Sequence, residues 1–149
     1  LASDISVNFA VSKSLLQDFD MDTVYILTEL ETYEGNSKTG TTTVKLLPVD
    51  QGAYYYFTLI GLTAVQMNDR LSSVLYGTKA GQPYCTPVDV YSIAAYAYSQ
   101  LNKNTVADSL KTLCADLLRY GAKAQTYFGV NTDDLANLLL PEGWQARFG

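Results

Sequence analysis

The most aromatic stretch of the chain reads Ala53-Tyr54-Tyr55-Tyr56-Phe57-Thr58-Leu59-Ile60, and its composition is that of a β-strand. Side chains alternate between the two faces of a strand, so one face carries Tyr54, Tyr56 and Thr58. The threonine marks this face as the outward one, and Phe57 then points into the core. The stretch therefore predicts a half-buried strand with an outward row of tyrosines.

Five further segments have strand character and are separated by polar or glycine-containing turns. They are residues 5–11, 23–32, 41–49, 71–78 and 83–91. Residues 34–40 are predicted as a hairpin loop, and Pro48 as a strand end. Because parallel strands need long crossover connections, these short turns favour antiparallel pairing. The pattern predicts an immunoglobulin-like antiparallel β-sandwich of about six or seven strands.

From Ser92 onward the apolar residues fall at helical spacing. Ser92 is predicted as the N-cap of a first helix, with a start at Thr86 as the alternative boundary. A second helix is predicted from Thr105, with Asp108 in the capping-box position, to Gly129. Gly121 in this helix would allow close approach of another backbone. The predicted core-facing stripe consists of Val106, Leu110, Leu113, Leu117, Gly121, Ala124 and Phe128.

These patterns predict an α+β fold in which a C-terminal helical pair packs against the sandwich. We expect one domain spanning residues 1–149, because 149 residues is the size of an ordinary domain. Its β-rich part would be residues 1–91, its helical part residues 92–140 and its tail residues 141–149. Trp144 is predicted as a packing anchor for this tail.

The composition excludes several classes of function. The chain has twelve tyrosines but no histidine, which removes the usual general base and the commonest metal ligand. The formal net charge of -5 has the wrong sign for nucleic acid, and no stretch approaches the ~20 apolar residues of a membrane helix. We therefore expect no catalytic residues, no cofactor, no nucleic-acid partner and no membrane insertion by this segment.

The chain start and the two cysteines bear on location. Leu1 to Asp4 lack an initiator methionine and a basic region, which indicates an excised or processed piece. Cys85 and Cys114 could form one bridge in an oxidising compartment, but no framework of spacings demands it. The favoured interpretation is two free, semi-buried thiols.

Two stretches carry a resemblance to a known group of proteins. Residues 91–98 read Tyr-Ser-Ile-Ala-Ala-Tyr-Ala-Tyr, and residues 113–128 read Leu-Cys-Ala-Asp-Leu-Leu-Arg-Tyr-Gly-Ala-Lys-Ala-Gln-Thr-Tyr-Phe. Together with Met67-Asn68-Asp69, they resemble a recurring domain of secreted and cell-surface multidomain proteins from gut Clostridia. Ala95 and Cys114 depart from that pattern, which often has an acid and an aliphatic residue there. The resemblance implies an extracellular or cell-surface module without an assigned activity.

The sharpest motif is acidic. Asp18, Asp20 and Asp22 alternate, and Glu29 follows Asp18 at the spacing of an EF-hand calcium loop. Thr23 stands where that loop requires glycine, and the residues after it have strand composition. A solvated acidic turn is therefore the favoured interpretation, with calcium binding as the alternative.

Two further chemistries remain open at this stage. Outward Tyr54 and Tyr56 could stack on sugar rings, although packing beneath the C-terminal helices is favoured. Glycoside hydrolysis can be catalysed by carboxylates alone. The acidic residues available for it are Asp18, Asp20, Asp22, Glu29, Glu31 and Glu34. We expect a non-catalytic structural or adhesive module whose partners are neighbouring domains, a glycan or a surface protein. A carbohydrate-binding module is the second hypothesis and a carboxylate-only glycoside hydrolase the third.

Overall fold

The computed structural model describes residues 5–140, which form mostly antiparallel β-sheets followed by α-helices. The strands of this described part are β1 Ile5–Ser12, β2 Phe19–Glu34, β3 Ser37–Leu46, β4 Val49–Gln51, β5 Tyr54–Leu62, β6 Leu71–Lys79, β7 Gln82–Cys85 and β8 Asp89–Tyr91. The helices are α1 Lys13–Leu16, α2 Ile93–Leu101 and α3 Asp108–Phe128, and a short 3-10 turn spans Ala64–Gln66.

The strands form two sheets. The first has the order β1-β5-β4, and the second has the order β3-β2-β6-β7, with β8 also paired to β6. Every pair is antiparallel, as the short turns predicted. The coarse prediction of an antiparallel β-rich fold with helices at its C-terminal end is therefore confirmed.

Both sheets contribute to one buried apolar cluster. Phe57 of β5 is fully buried, and it shares the cluster with Val24 and Ile26 of β2. On the other face of β5, Tyr54 has 46 % of its surface exposed and Ile60 is also exposed. The predicted inward and outward faces of the aromatic strand are therefore confirmed.

Several strand boundaries differ from the prediction. The strand predicted at 23–32 is longer and begins at Phe19, so Asp20 and Asp22 of the predicted acidic turn lie within β2. The loop predicted at residues 34–40 is only a two-residue turn at Gly35 and Asn36, where the positive φ of Gly35 allows a tight reversal. The segment predicted at 41–49 ends at Leu46, and Val49 belongs to the other sheet. The segment predicted at 83–91 is split into β7 and β8, because Pro87 between them cannot donate a ladder hydrogen bond.

The first C-terminal helix begins where predicted. The backbone N–H of Ala95 donates a 2.9 Å hydrogen bond to Oγ of Ser92, the N-cap of α2. The alternative start at Thr86 is therefore wrong. The second helix, α3, begins at Asp108 rather than at Thr105, with no side-chain cap at Ala107. It ends as predicted at Gly129, whose φ of 67° lies in the left-handed region.

The predicted core stripe of α3 is right at Gly121, which is buried, and at Leu117, which packs against the core. The centre of the buried face, however, is rotated from the predicted stripe by about one residue, roughly 100° around the helix axis. The buried face consists of Cys114, Ala115, Leu118, Gly121, Ala122 and Gln125. Leu113 and Phe128 are exposed. The physical reason is close packing, since α3 lies against Ala94 and Ala97 of α2 and against the loop residue Met67. The small side chains of Ala115, Gly121 and Ala122 allow this close contact.

Gly121 lies at the closest approach, as predicted. A Cβ placed there would lie 3.0 Å from Sδ of Met67 and 3.2 Å from Cβ of Ala136. Such distances are shorter than ordinary carbon contacts, so a larger residue would push α3 away from the loop before β6.

The helical part caps one end of the two sheets. The N–H of Ala94 donates to the carbonyl of Met67 at 2.9 Å, and the N–H of Asn131 donates to the carbonyl of Gly35 at 3.0 Å. The N–H of Thr132 donates to Oδ1 of Asn36 at 2.7 Å. These contacts join the helices to the β2–β3 turn and to the β5–β6 connection.

The two cysteines lie in different environments. Cys85 is exposed on β7 and Cys114 is buried on α3, and both thiols are free. Burial raises the pKa of the Cys114 thiol. The prediction of free thiols is confirmed, but one thiol is exposed and the other buried rather than both being semi-buried. The predicted tail and its Trp144 lie outside the described residues.

A candidate binding groove beside strand β1

A groove of about 510 Å³ lies between the edge of the first sheet and the second sheet. One wall is formed by residues 7–11 of β1. The opposite wall includes Asp89 and Tyr91, and the floor includes Ile26 and Leu75, which are paired residues of β2 and β6. Tyr96 of α2 also lines the groove, which therefore lies at the junction of both sheets and the helical part.

The groove runs along the free backbone edge of β1. Consecutive side chains of a strand point to opposite faces, so only a cavity beside the edge can contact every residue from 7 to 11. On its other side β1 pairs with β5. Within residues 5–140, no strand pairs with the outer edge of β1.

The hydrogen-bonding direction of β1 follows from its last backbone contact. The N–H of Lys13 donates to the carbonyl of Ala53 at 3.0 Å, in continuation of the β1–β5 register. Because antiparallel residues alternate in the direction of their N–H and C=O groups, Phe9 and Val11 also face β5. The N–H and C=O groups of Asn8 and Ala10 then point into the groove.

The floor of the groove is apolar. Val7 and Ile26 are buried there, and Phe9 contacts Tyr91 edge-to-face with 6.3 Å between ring centroids. Burial, followed by the proximity of Tyr96, raises the pKa of Tyr91, so this phenol stays neutral. Asp89 is the sole charged residue among the described residues that line the groove. The groove thus presents backbone hydrogen-bonding groups, an apolar floor and one negative charge.

Sequence reasoning found the alternation of β1 but missed the groove. The alternation of Val7, Phe9 and Val11 indicates which face is inward, but not which strands become neighbours. The position of β1 at a sheet edge depends on pairing with β5, about fifty residues away in sequence.

Tyr54 and Tyr56 lie on the outward face of β5, as predicted. Tyr54 is exposed and Tyr56 is half-buried, and both are flanked by the short strand β4. The contacts of α2 and α3 described above are with the strand ends rather than with this face. The tyrosines therefore form an accessible surface next to Ile60, on the side of the first sheet that faces away from the core.

The structure does not bring the four predicted calcium ligands together. Asp18 lies before β2 and pairs with Lys79 at 3.9 Å, whereas Asp20 accepts a hydrogen bond from the N–H of Asp22. Glu29 lies seven residues beyond Asp22 along β2, about 23 Å at the usual strand rise. Among the described residues, no group of three or more acidic or cysteine side chains has an arrangement that could hold a metal ion.

A different acidic residue has an unusual environment that the sequence did not reveal. Asp69, in the connection before β6, is 5 % exposed, and its Oδ1 has no hydrogen-bond partner among the described residues. Burial, together with the negative charges of Glu31 and Asp134, raises the pKa of Asp69 to about 7. Nearby, the hydroxyl of Tyr33 donates to Glu31 at 2.8 Å, and burial and this bond raise the pKa of Tyr33 to about 12.

A second apolar surface follows from the rotation of α3. Leu113 and Phe128 are exposed on this helix, and so is the neighbouring Tyr127.

None of the helices in the described part is long and apolar enough to span a membrane. Comparisons of the chain with protein-family models, with curated proteins and with solved structures gave no match.

Proposed function

We propose that this chain is a non-catalytic adhesive or structural module of a larger secreted or cell-surface bacterial protein. The observation that carries the proposal is the groove beside β1, which exposes an apolar floor and unpaired backbone groups between two sheet edges. Surfaces of this kind bind other polypeptides. The resemblance to exported multidomain proteins of gut Clostridia supports a location outside the cell or at its surface. The partners would be neighbouring domains or a surface protein.

We propose further that the two sheets form an immunoglobulin-like sandwich. In that fold one sheet has the strand order A-B-E-D, and the other contains C, F and G, extended by C′ in variable-type domains. The chain order of β1 to β7 supports B, C, C′, D, E, F and G, because β1-β5-β4 then corresponds to B-E-D and β3-β2-β6-β7 to C′-C-F-G. Under this correspondence, no described strand takes position A, and the groove lies where strand A would pair with β1.

A non-catalytic role is supported by the environment of the acidic residues. Asp69 has a pKa suited to proton transfer, but with 5 % exposure it is closed to a substrate. Glu31, its neighbour, lies within 3.7 Å of the ammonium group of Lys38. One carboxylate is thus buried and the other is half-buried beside a lysine, unlike the open pair that glycoside hydrolysis requires.

Adhesion of protein-coated beads tests the proposal. Beads carrying the full chain should adhere to mucin-coated surfaces or to walls of gut Clostridia more strongly than albumin-coated beads do. A variant with a blocked groove, Ala10→Pro, should lose this adhesion, whereas Tyr54→Ala should keep it. Equal adhesion of coated and albumin beads on every surface, or turnover of a chromogenic glycoside by the purified chain, would contradict the proposal.

A carbohydrate-binding module is the second candidate, because Tyr54 and Tyr56 lie on an accessible sheet face. Exposed aromatic rings can pack against the apolar faces of sugars. On a glycan array, this function would give saturable binding that Tyr54→Ala and Tyr56→Ala abolish. Tyr84→Ala is the matched control, because Tyr84 is similarly exposed but belongs to the other sheet. An array without signal would remove this candidate.

A further inference from the structure

We propose that the groove binds an extended, basic segment of a partner protein, which adds to the first sheet as a strand beside β1. This inference rests on the proposed adhesive function and names the class of partner. It follows from three properties of the groove: the free backbone edge, the unprotected sequence of that edge and the charge of the wall.

The backbone edge selects an extended peptide. Asn8 and Ala10 direct their N–H and C=O groups outward, and no residue of the described range 5–140 pairs with them. Such a row of unpaired groups is a template for another strand. A strand in this position would have one face on the apolar floor formed by Ile26 and Leu75 and one face in solvent. It therefore needs an apolar side chain at every second position.

The other sheet edges of the described part each carry a feature that discourages pairing. At the opposite edge of the first sheet, β4 has only three residues and contains Asp50. In the second sheet, β3 contains Lys38 and Lys45, whereas the β7–β8 edge is interrupted at Pro87. Short strands, lysines and prolines are the usual ways in which proteins block edge pairing.

β1 lacks these features. Residues 5–12 read Ile-Ser-Val-Asn-Phe-Ala-Val-Ser, with no charged residue, no proline and no glycine over eight residues. One register shift between Ile5 and Val7 is its single irregularity, and it precedes the segment that lines the groove. The contrast between β1 and the other edges indicates a strand kept open for pairing.

The charge of the groove selects the partner. Asp89 is the sole charged residue among its described lining residues, and the whole chain has a formal net charge of -5. A lysine or arginine on the incoming strand would be attracted by both. A second copy of this chain would instead bring a net charge of the same sign. The occupant that fits is therefore a basic segment with alternating apolar residues, from another protein.

Peptide binding to the full chain tests this inference. The probe is a fluorescent peptide of sequence Thr-Val-Lys-Val-Thr-Val-Lys-Val-Thr, followed by fluorescence anisotropy. Ala10→Pro removes the outward N–H, and proline is tolerated at a strand edge that faces solvent. We expect this variant to bind the peptide at least about tenfold more weakly, whereas Ala10→Thr, which keeps the N–H, should bind within about twofold of the parent chain.

Three further measurements use the unaltered chain, and the first of them is repeated on one variant. A peptide with glutamates in place of the lysines should bind at least about fivefold more weakly to the unaltered chain. In Asp89→Asn, the difference in affinity between the lysine peptide and the glutamate peptide should be smaller. The same peptide with alternate backbone nitrogens methylated should not bind. Hydrogen exchange at the amides of Asn8 and Ala10 should slow when the lysine peptide is present.

Several results would overturn the inference. One is the absence of saturable binding up to about 1 mM peptide, and another is binding that ignores both Ala10→Pro and N-methylation. A concentration-dependent dimer that Ala10→Pro dissociates would assign the groove to a second copy instead. Failure of peptide binding while coated beads still adhere would overturn this inference alone, whereas glycoside turnover would overturn the proposed function.

Discussion

Asp69 is a buried carboxylate whose surroundings differ strongly from water. It lies in the connection between β5 and β6, next to Met67 and Asn68, and this connection carries the contacts to the helical part. Its raised pKa has a consequence for stability. The folded protein holds a proton on Asp69 up to about pH 7, whereas the unfolded chain releases it near the ordinary aspartate pKa of 3.8.

The stability of the protein should therefore fall as the pH rises from about 4 to about 7. In this window the folded state binds more protons than the unfolded state, so the free energy of unfolding decreases with pH. In Asp69→Asn this contribution is absent, and the variant should be more stable than the parent above pH 7 by on the order of 3 kcal/mol. Urea unfolding at several pH values between about 4 and 8 measures the difference.

Asp116→Asn is the control for this prediction. Asp116 lies on α3 with a side chain that is 52 % exposed and pairs with Arg119 at 3.1 Å, so Asp116→Asn removes a carboxylate at the surface rather than a buried one. If Asp69→Asn shows the same decrease with pH as the parent chain, Asp69 is not the titrating group.

At the scale of elements, α3 shows how close packing overrides hydrophobic periodicity. Its large apolar side chains recur at helical spacing, but Leu118 is the only leucine of α3 on the buried face, which otherwise carries Cys114, two alanines, a glycine and Gln125. Gln125 is fully buried and donates to the carbonyls of Asn131 and Asp134 at 3.1 and 2.9 Å. Its Oε1 accepts a hydrogen bond from the N–H of Ala136 at 2.8 Å. The glutamine thus holds the segment after α3 against the helix.

The N-cap of α2 leads to a prediction about the stability of one element. Ser92→Ala removes the acceptor for the N–H of Ala95, and we expect a loss of about 1 kcal/mol in the free energy of unfolding. Ser92→Thr keeps a hydroxyl in the same position and should retain most of the stability. Urea denaturation followed by circular dichroism measures both. Equal stability of the alanine and threonine variants would show that the cap does not contribute.

At the scale of the whole molecule, the helical part and the sheets share contacts that join them mechanically. Met67 is fully buried between the sheet core and Gly121 of α3, and Ile93 of α2 belongs to the same apolar cluster as the sheet residues. Hydrogen bonds from Asn131 and Thr132 to the β2–β3 turn add a second attachment.

We therefore expect the helices and the sheets to unfold in a single transition. The far-ultraviolet signal of the helices and the near-ultraviolet signal of half-buried sheet tyrosines such as Tyr25 and Tyr76 should change at the same temperature. Gly121→Val should lower that temperature for both signals, because the added side chain collides with Met67. Lys123→Ala, on the exposed face of α3, is the control. Two separated transitions in the parent chain would show that the two parts fold independently.

Local features of the fold could be predicted from the sequence. The inward face of β5, the cap at Ser92, the left-handed residue Gly129 and the close approach at Gly121 each depend on one residue and its immediate neighbours. Strand and helix identity also followed from periodicity. The break between β7 and β8 at Pro87 could also have been predicted from the sequence, since proline within a strand pattern indicates an interruption.

The sequence by itself determined that the chain forms antiparallel strands first and helices afterwards, because alternation, turn residues and caps act over a few residues. The tertiary structure decided which strand lies at an edge, which face of α3 is buried and which carboxylate loses its solvent. Each of these depends on neighbours far away in the chain: β1 on β5, Gly121 on Met67, and Asp69 on Glu31 and Asp134. The groove beside β1 arises from this long-range pairing, since an edge exists only when the sheet has been assembled.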